Sequence, residues 1–449
     1  MQSESEFTHG DITKPLLKFA IPILLALVLQ ALYGTVDLLV VGWFGSSKDV
    51  SAVSTGSQIM MTVTHLICSL SVGTTIYLGQ TIGEGNAKRG GSIIGASLWL
   101  FTLLSLAFTF LVPCFSDQLA AIMNAPPEAF ELTSEYIRIC GYGSSVIIFY
   151  NLIGSIFRGL GDSRTPLITV AISCAANIVG DLWLVAGCGL GTRGAAIATV
   201  LAQALSVIIS VWIIRRQHFP FTMSRADVRY NGQVIGHVLG LGAPIALQDM
   251  LVGLSFLIIL AIVNQLGLIA SAGVGVSEKV CAFVMLVPSA FAQSVAAFVA
   301  HNIGAGKYDR ARAALFRAIM ASAGFSLFMF IMGFWHGELL TGIFTNEVEV
   351  VQAGASYLKA YAIDCLFTSF LFCFIGFFNG LGFTKFVMIQ GIVGAFGVRV
   401  PVSYLMSKCE PVSLFHIGLA TPCSTLVQIA LCFACLRLAN RRFNSQNKG

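Results

Sequence analysis

The sequence predicts an all-α integral membrane protein with twelve transmembrane helices in two pseudo-symmetric six-helix bundles. Three observations predict this fold class: an apolar composition, regularly spaced apolar runs and an internal repeat. Of the 449 residues, 56% are hydrophobic and only 10% are charged, which leaves too little polar surface to coat a soluble globule. Apolar runs of about 20 residues recur between short polar breaks without strand-like alternation, so helices are favoured over a barrel.

The apolar runs define twelve spans when they are counted between polar or glycine-rich breaks. They cover residues 15–43, 53–79, 91–113, 131–157, 165–186, 193–214, 238–265, 273–300, 312–335, 352–378, 384–406 and 413–436. The polar N-terminus lacks the basic stretch, short apolar core and small-residue cleavage site of a secretory signal. We therefore expect no cleavable signal peptide.

The distribution of basic residues predicts the orientation of these spans. If both termini are cytoplasmic, nineteen Lys and Arg residues fall on the cytoplasmic side, five on the opposite side and two within spans. Lys and Arg accumulate in short cytoplasmic loops during insertion, so we expect a multi-pass protein of the cell inner (cytoplasmic) membrane with both termini in the cytoplasm. The net charge of +5 reflects this placement and does not indicate nucleic-acid binding.

The longest cytoplasmic break, from Arg215 to Gly232, divides the chain into two halves of six spans. The predicted parts are a cytoplasmic tail at 1–14, an N-terminal lobe at 15–214, a linker at 215–237, a C-terminal lobe at 238–436 and a cytoplasmic tail at 437–449.

The two halves resemble each other at an offset of 221 to 222 residues. The matching landmarks are AIP at 20–22 with GAP at 242–244, IGEG at 82–85 with IGAG at 303–306, and FRGLG at 157–161 with FNGLG at 378–382. Because six spans return the chain to the same side, the repeats are parallel and related by an axis along the membrane normal. Such symmetry predicts a binding cavity between the lobes.

The first span contains an aspartate within apolar sequence. A carboxylate such as Asp37 costs at least ~2.5 kcal/mol inside the bilayer, so it indicates function unless it is a structural acid paired with a neighbouring helix. Gln30, Tyr33 and Asp37 share one helical face, which we expect to look into protein or water rather than lipid. Pro22 lacks a backbone N–H and predicts a bent or bistable helix, with a simple kink as the alternative.

The fifth span supplies partners for Asp37. Asn177 and Asp181 are spaced i and i+4 and share a face in the outer half of that span, and Thr199 enters at the outer half of the sixth. Asn151 in the fourth span offers another amide. Two carboxylates with such oxygens can share a proton or bind a monovalent cation such as sodium, and hydrogen-bonded helix packing is the alternative. The positions in the second half that correspond to the two acids and Asn177 are apolar, so the cluster belongs to the first half.

The second half carries its own charged residues within spans. They are Asp249, Glu278, Lys279, Asp364 and Arg399. We interpret them as buried ion pairs between helices, with a secondary ion site as the alternative. No histidine or cysteine spacing predicts a metal site, and the twelve cysteines are interpreted as free thiols. The glycine-rich segments after the second and eighth spans lack the context of phosphate-binding loops, so we expect turns and no cofactor.

With the two-times-six repeat, the helix from Pro22 to Asp37 and the paired FRGLG and FNGLG breaks, the sequence resembles the multidrug and toxic compound extrusion (MATE) transporters over residues 14–442. The resemblance implies a V-shaped pair of six-helix bundles that expels cationic or amphipathic compounds in exchange for protons or sodium. The site residues that it implies are Asp37 for coupling, Pro22 for helix bending, Asn177 and Asp181 as the fifth-helix pair, Thr199 and Asn151 in supporting positions, and Gln30 and Tyr33 at the cavity. The second half departs from the family pattern, because Asp249 and Asp364 each lie about one turn from the positions expected for cation ligands.

The expected function is therefore a cation-coupled secondary antiporter, and not an enzyme. Its partners would be small cationic or amphipathic substrates and the lipid bilayer, and we expect a monomer with a proton or sodium as the coupling ion. One alternative is a flippase for a lipid-linked precursor, which would need a strongly cationic cavity, whereas the spans contain only Lys279 and Arg399 as basic residues. A membrane-embedded enzyme is disfavoured, because no His, Asp or Cys residues cluster near one interface, and the repeat argues against a channel or receptor.

Overall fold

The computed structural model describes residues 7–86, 88–216 and 227–446, with side chains described as far as residue 441. Within these residues every regular element is helical. Eleven helices are long and apolar enough to cross a membrane, and a bent pair of helices provides a twelfth span. The prediction of an all-α membrane protein is confirmed, and the count agrees with twelve spans when the bent pair is one of them.

We label the spans α1 to α12 in chain order. The first six are α1 (Thr13–Phe44), α2 (Ser47–Gly83), α3 (Lys88–Cys114), α4 (Phe130–Tyr142 with Ser144–Gly159), α5 (Arg164–Gly187) and α6 (Gly191–Arg216). The second six are α7 (Gly232–Asn264), α8 (Leu268–Gly304), α9 (Tyr308–Trp335), α10 (Val348–Gly380), α11 (Thr384–Lys408) and α12 (Leu414–Arg441). Most helices begin before the predicted apolar run, so the helical structure extends into the polar flanks. Ser46 and Asp49, for example, form a capping box at the start of α2.

Several spans depart from a regular straight helix. The two parts of α4 are bent by 54° at Gly143. The fifth span of each half contains a π-helical segment, Leu182–Gly187 in α5 and Val393–Arg399 in α11. Prolines lie inside α1 at Pro22 and inside α7 at Pro244, and both helices continue through them. Because π-helical turns and prolines are common at functional sites and kinks, these spans are the ones in which a site is expected.

The chain divides into two compact units that exchange the starts of two helices. The first unit contains Ile21–Ala246, and the second contains Phe7–Ala20 and the chain from Leu247 onward. The chain therefore passes from one unit to the other inside α1, next to Pro22, and inside α7, close to Pro244. This division differs from the predicted lobes at 15–214 and 238–436, because apolar runs show where a span lies but not which neighbours it contacts.

Each unit has its own apolar core. One core cluster of the first unit surrounds Phe101 and Ile156 and includes Val238 from the start of α7. A second cluster in that unit surrounds Val41 and Ile137, close to Asp37 in the sequence. In the second unit, aromatic residues of α10 form a cluster with residues of α7 and α8.

Helices α8 and α10 cross at very close range in the second unit. A Cβ atom placed on Gly376 would lie 2.3 Å from the carbonyl oxygen of Ala292, which no real contact tolerates. We expect Gly376→Ala to lower the free energy of unfolding by about 1–3 kcal/mol, because the backbones must move apart. Thermal unfolding in detergent measures this effect. Gly324→Ala is the matched control, since no atom lies within 4 Å of its Cβ position, and an equal loss in both variants would contradict the prediction.

Candidate ion-coupling site

Four of the predicted coupling residues meet in the interior of the first unit. The Thr199 hydroxyl, from α6, donates to Oδ2 of Asp37 on α1 over 3.2 Å. Asp181 and Asn177, from α5, interact with the same carboxyl group. The four side chains are between 0% and 9% exposed. The structure thus brings three helices together around a pair of carboxyl groups.

Several polar atoms of this cluster lack a hydrogen-bond partner among the described residues. They are Oδ1 of Asp37, both carboxyl oxygens of Asp181 and both side-chain polar atoms of Asn177. Leaving buried polar atoms unpaired is costly, and two ionised carboxylates side by side in a low dielectric repel each other. A proton shared between the two acids would relieve the repulsion, and so would a small cation bound by their oxygens. Carboxylate, amide and hydroxyl oxygens are ligands of hard cations.

The local structure of α5 explains how Asp181 and Asn177 reach Asp37. The two residues lie one helical turn apart, and Asp181 is the last residue before the π-helical segment. Gly180 contacts Ala198 of α6, the residue before Thr199. Because small residues at a crossing let two membrane helices approach closely, this contact places the polar groups of α5 and α6 around one point.

Gln30 and Tyr33 lie on the Asp37 face of α1 and bond to neighbouring helices. The Tyr33 hydroxyl donates to the backbone carbonyl of Thr199 at 3.1 Å, and the Gln30 amide donates to the Tyr150 hydroxyl at 3.0 Å. The shared face of α1 therefore contacts neighbouring helices, with Asp37 buried, Tyr33 half-buried and Gln30 exposed. The role of these two residues in a substrate cavity stays a prediction.

Asn151 is not brought into the cluster. Its side-chain amide donates to the backbone carbonyl of Ile147 at 2.8 Å, within its own helix. A buried amide on a helix can satisfy its donor in this way, through the carbonyl four residues earlier. The expected supporting contact between Asn151 and the two acids is therefore not formed.

Three residues of α4 that sequence reasoning missed complete the surroundings of the site. Tyr136 and Cys140 are almost fully buried, and both lie close to Asp37. Tyr150 receives the hydrogen bond from Gln30. The i and i+4 spacing of Tyr136 and Cys140 was the available signal, since it places them on one helical face.

The second unit has a different polar arrangement around Arg399. This side chain is 6% exposed, its Nη1 donates to the Ser255 hydroxyl at 3.2 Å, and its guanidinium lies 4.3 Å from the ring centre of Phe256. Asp364 is buried nearby and interacts electrostatically with Arg399. The predicted direct ion pair of Arg399 with Asp364 or Glu278 is not formed, because the guanidinium is directed at Ser255 and Phe256 on α7.

The remaining charged residues of this half occupy different environments. Asp249 and Lys279 are exposed on their helices, so they are not the buried charges that the sequence predicted. Asp249 follows the buried Gln248, and a rotation of about 100° per residue turns it to the surface. Glu278 is half-buried, and one of its oxygens, like one of Asp364, has no hydrogen-bond partner in the described part of the chain.

The sequence is similar to a known protein family and to proteins from two bacteria. A sequence model of the MatE family matches residues 22–183 and 244–405, that is, one copy in each half. The chain is 28% identical over 403 residues to the probable multidrug resistance protein YpnP of Bacillus subtilis (strain 168), covering 90% of each protein. It is 22% identical over 401 residues to the multidrug export protein MepA of Staphylococcus aureus (strain MSSA476), covering 89% of this chain and 88% of MepA.

The fold is similar to that of solved transporter structures. A crystal structure of MATE in the bent conformation matches with a TM-score of 0.93 at 19% identity, covering 99% of each chain. The two family matches are offset by 222 residues, in agreement with the internal repeat, and together they include every residue of the Asp37 cluster except Thr199. The chain therefore belongs to the MatE family, which makes it a multi-pass membrane transporter and not an enzyme.

Proposed function

We propose that this transporter is a cation-coupled secondary antiporter that exports drugs and other cationic or amphipathic small molecules, with a proton or sodium as the coupling ion. Its relatives are named as multidrug resistance and multidrug export proteins. The observation that carries the proposal is the pair of buried carboxyl groups, Asp37 and Asp181, with three unpartnered oxygens between them. Such a pair is stable only when a positive charge or a proton accompanies it, so it is suited to bind and release one.

Ion binding at this pair would act on the conformation of α1. A proton or cation removes the repulsion between the acids and changes the hydrogen bond that Thr199 donates to Asp37. A ligand shifts a conformational equilibrium only by its different affinity for the two states, so the acids must be differently placed in the outward and inward states. Pro22 is the point at which α1 can bend, since no backbone hydrogen bond is donated there. Comparing structures determined at low and high pH tests this step, and an unchanged α1 would contradict it.

We place the transporter in the cytoplasmic membrane with both termini in the cytoplasm. The excess of nineteen over five basic residues on the side of the termini supports this orientation. The carboxyl pair would then lie in the outer half of the membrane, where ions enter from outside. No cofactor other than the coupling ion takes part.

Transport under separately imposed ion gradients tests the proposed function. The purified full-length chain is reconstituted in proteoliposomes, and movement of a cationic dye is followed with a proton gradient alone and with a sodium gradient alone. We expect dye movement against its own gradient under at least one condition, which also identifies the coupling ion. Dye movement that depends on neither the proton gradient nor the sodium gradient would contradict antiport.

A further inference from the structure

The segment before the first span is bonded tightly to the start of α9. We call residues 7–13 the anchor segment. The Arg310 guanidinium donates to four of its backbone carbonyls: Phe7 at 3.0 Å, His9 at 3.0 Å, Gly10 at 2.6 Å and Asp11 at 2.9 Å. Arginine presents five donors in a planar fork, so one side chain can bind a curved stretch of backbone at several points.

Three more side chains of the second unit hold the anchor segment. Their contacts are Asn302 Nδ2 to the Phe7 carbonyl at 3.1 Å, Lys307 Nζ to the Thr8 carbonyl at 2.8 Å, and Arg317 Nη1 to Asp11 Oδ1 at 3.0 Å. The backbone N–H of Lys14 also bonds to Asp11 and lowers the pKa of Asp11 below its usual value, so this carboxylate stays ionised at neutral pH. The segment is therefore held through its backbone carbonyls and through the Asp11 carboxylate.

Apolar packing completes the attachment. The Phe7 ring is 3% exposed and lies among three rings, with centre-to-centre distances of 5.2 Å to Phe19, 5.1 Å to Phe298 and 5.3 Å to His301. Gly10 has a φ of 72°, a conformation that side chains disfavour, and it turns the chain from this pocket into α1. The deep burial of the Phe7 side chain indicates that the anchor segment is bound at a specific apolar pocket.

The anchor segment sits at one end of the helix that carries Asp37. Residues 7–20 belong to the second unit, and α1 from Ile21 onward belongs to the first. The change of unit occurs beside Pro22. When the Asp37 end of α1 moves, an anchored start requires that the movement be taken up near this proline.

The repeat provides an internal comparison. At the offset of 221 residues that relates the two glycine-rich turns, Arg310 corresponds to Arg89, whose backbone N–H donates to the Asn86 carbonyl at 3.0 Å. At the start of the second repeat, Tyr230 packs against Trp99 of the first unit, with ring centres 5.1 Å apart. The polar attachment through Arg310 belongs to the first helix, which also carries Asp37.

We propose that Arg310 is a positioning residue for transport: through the carbonyls of the anchor segment it fixes the start of α1 in the second unit, so that ion binding at Asp37 bends the helix at Pro22 instead of displacing it as a whole. This inference rests on the proposed role of Asp37 in coupling. Arg310 contacts neither ion nor substrate and acts through backbone geometry alone.

Hydrogen exchange and transport kinetics of three variants test the proposal in the full-length chain. In Arg310→Ala, we expect amide exchange at residues 7–20 to rise about tenfold or more, because several charge-assisted hydrogen bonds are lost. The maximal transport rate should fall about tenfold, while equilibrium binding of the dye stays within about twofold, since the substrate contacts are intact. Arg310→Lys should restore little of the protection from exchange or of the transport rate, because one ammonium group cannot donate to four carbonyls at once. Arg312→Ala removes an exposed charge two residues away and should leave exchange and rate unchanged.

Each outcome bears on the proposal. Unchanged exchange in Arg310→Ala would overturn the anchor, and raised exchange with a normal transport rate would reduce Arg310 to a structural role and overturn its part in transport. If Arg310→Ala does not fold, amide exchange and the transport rate are measured on Arg310→Lys instead. Asp37→Asn separates this proposal from the coupling proposal, because it should slow ion-driven transport by about 5-fold to 150-fold with normal exchange at residues 7–20. Unreduced ion-driven transport in Asp37→Asn would defeat the coupling assignment, while slow transport in Arg310→Ala would still support the anchor.

Discussion

Asp37→Asn and Asp181→Asn are each expected to reduce the rate of ion-driven dye export by between about 5-fold and about 150-fold. This is the factor to which typical coupling free energies between two sites correspond. Each substitution replaces an ionisable carboxyl group by an amide. The amide does not take up a proton near neutral pH, and it has no negative charge that could bind a cation. In Asp37→Asn, the Thr199 hydroxyl can still donate to the substituted side chain, and both substitutions keep the size of the side chain, so the protein should fold. The initial rate in proteoliposomes under an imposed ion gradient measures the effect.

The double variant Asp37→Asn/Asp181→Asn should export dye no more slowly than either single variant. The two carboxyl groups share one proton or one cation in this interpretation, so removing either acid removes the whole binding step. Additive losses would show instead that the acids act independently. Glu128→Gln provides the matched control, because this exposed carboxylate lies between α3 and α4 and should leave the rate unchanged. Full gradient-driven transport in both single variants would refute the coupling assignment.

Helical spacing was sufficient to predict much of this site from the sequence. Asn177 and Asp181 had to share a face, and their depth in the fifth span matched that of Asp37 in the first. The contact of Asn151 was predicted less well, because the depth of a residue does not determine where its side chain points. Tyr136 and Cys140 were missed since they are uncharged and their burial beside Asp37 depends on how α4 packs.

The second unit shows where sequence reasoning ends. Charged residues in apolar spans predicted ion pairs, yet Arg399 donates to a serine hydroxyl and stacks on an aromatic ring. A guanidinium can satisfy its donors on neutral groups and ring faces, and the sequence does not show which of these lie within reach. The attachment of residues 7–13 was likewise invisible, because Arg310 binds backbone carbonyls, which every sequence possesses.

Arg399→Met should lower the free energy of unfolding by about 1.5–3 kcal/mol, the usual contribution of hydrogen bonds to a charged group. The substitution keeps an unbranched chain of similar length, so the loss reports charge and hydrogen bonding more than volume. It removes the bond to Ser255 and leaves Asp364 buried without the positive charge that acts on it. Thermal unfolding of the purified protein in detergent at neutral pH measures the loss.

Combining Arg399→Met with Asp364→Asn should restore part of the lost stability, because the uncompensated carboxylate is then absent.

A sodium titration distinguishes a structural charge cluster around Asp364 from a second ion site. If Asp364 held an exchangeable sodium ion, added sodium would raise the unfolding temperature of an Asp37→Asn/Asp181→Asn protein, and Asp364→Asn would abolish that rise. We expect no such rise, since the fixed positive charge of Arg399 already occupies the surroundings of Asp364. A sodium-dependent rise that Asp364→Asn removes would assign a second ion to this unit.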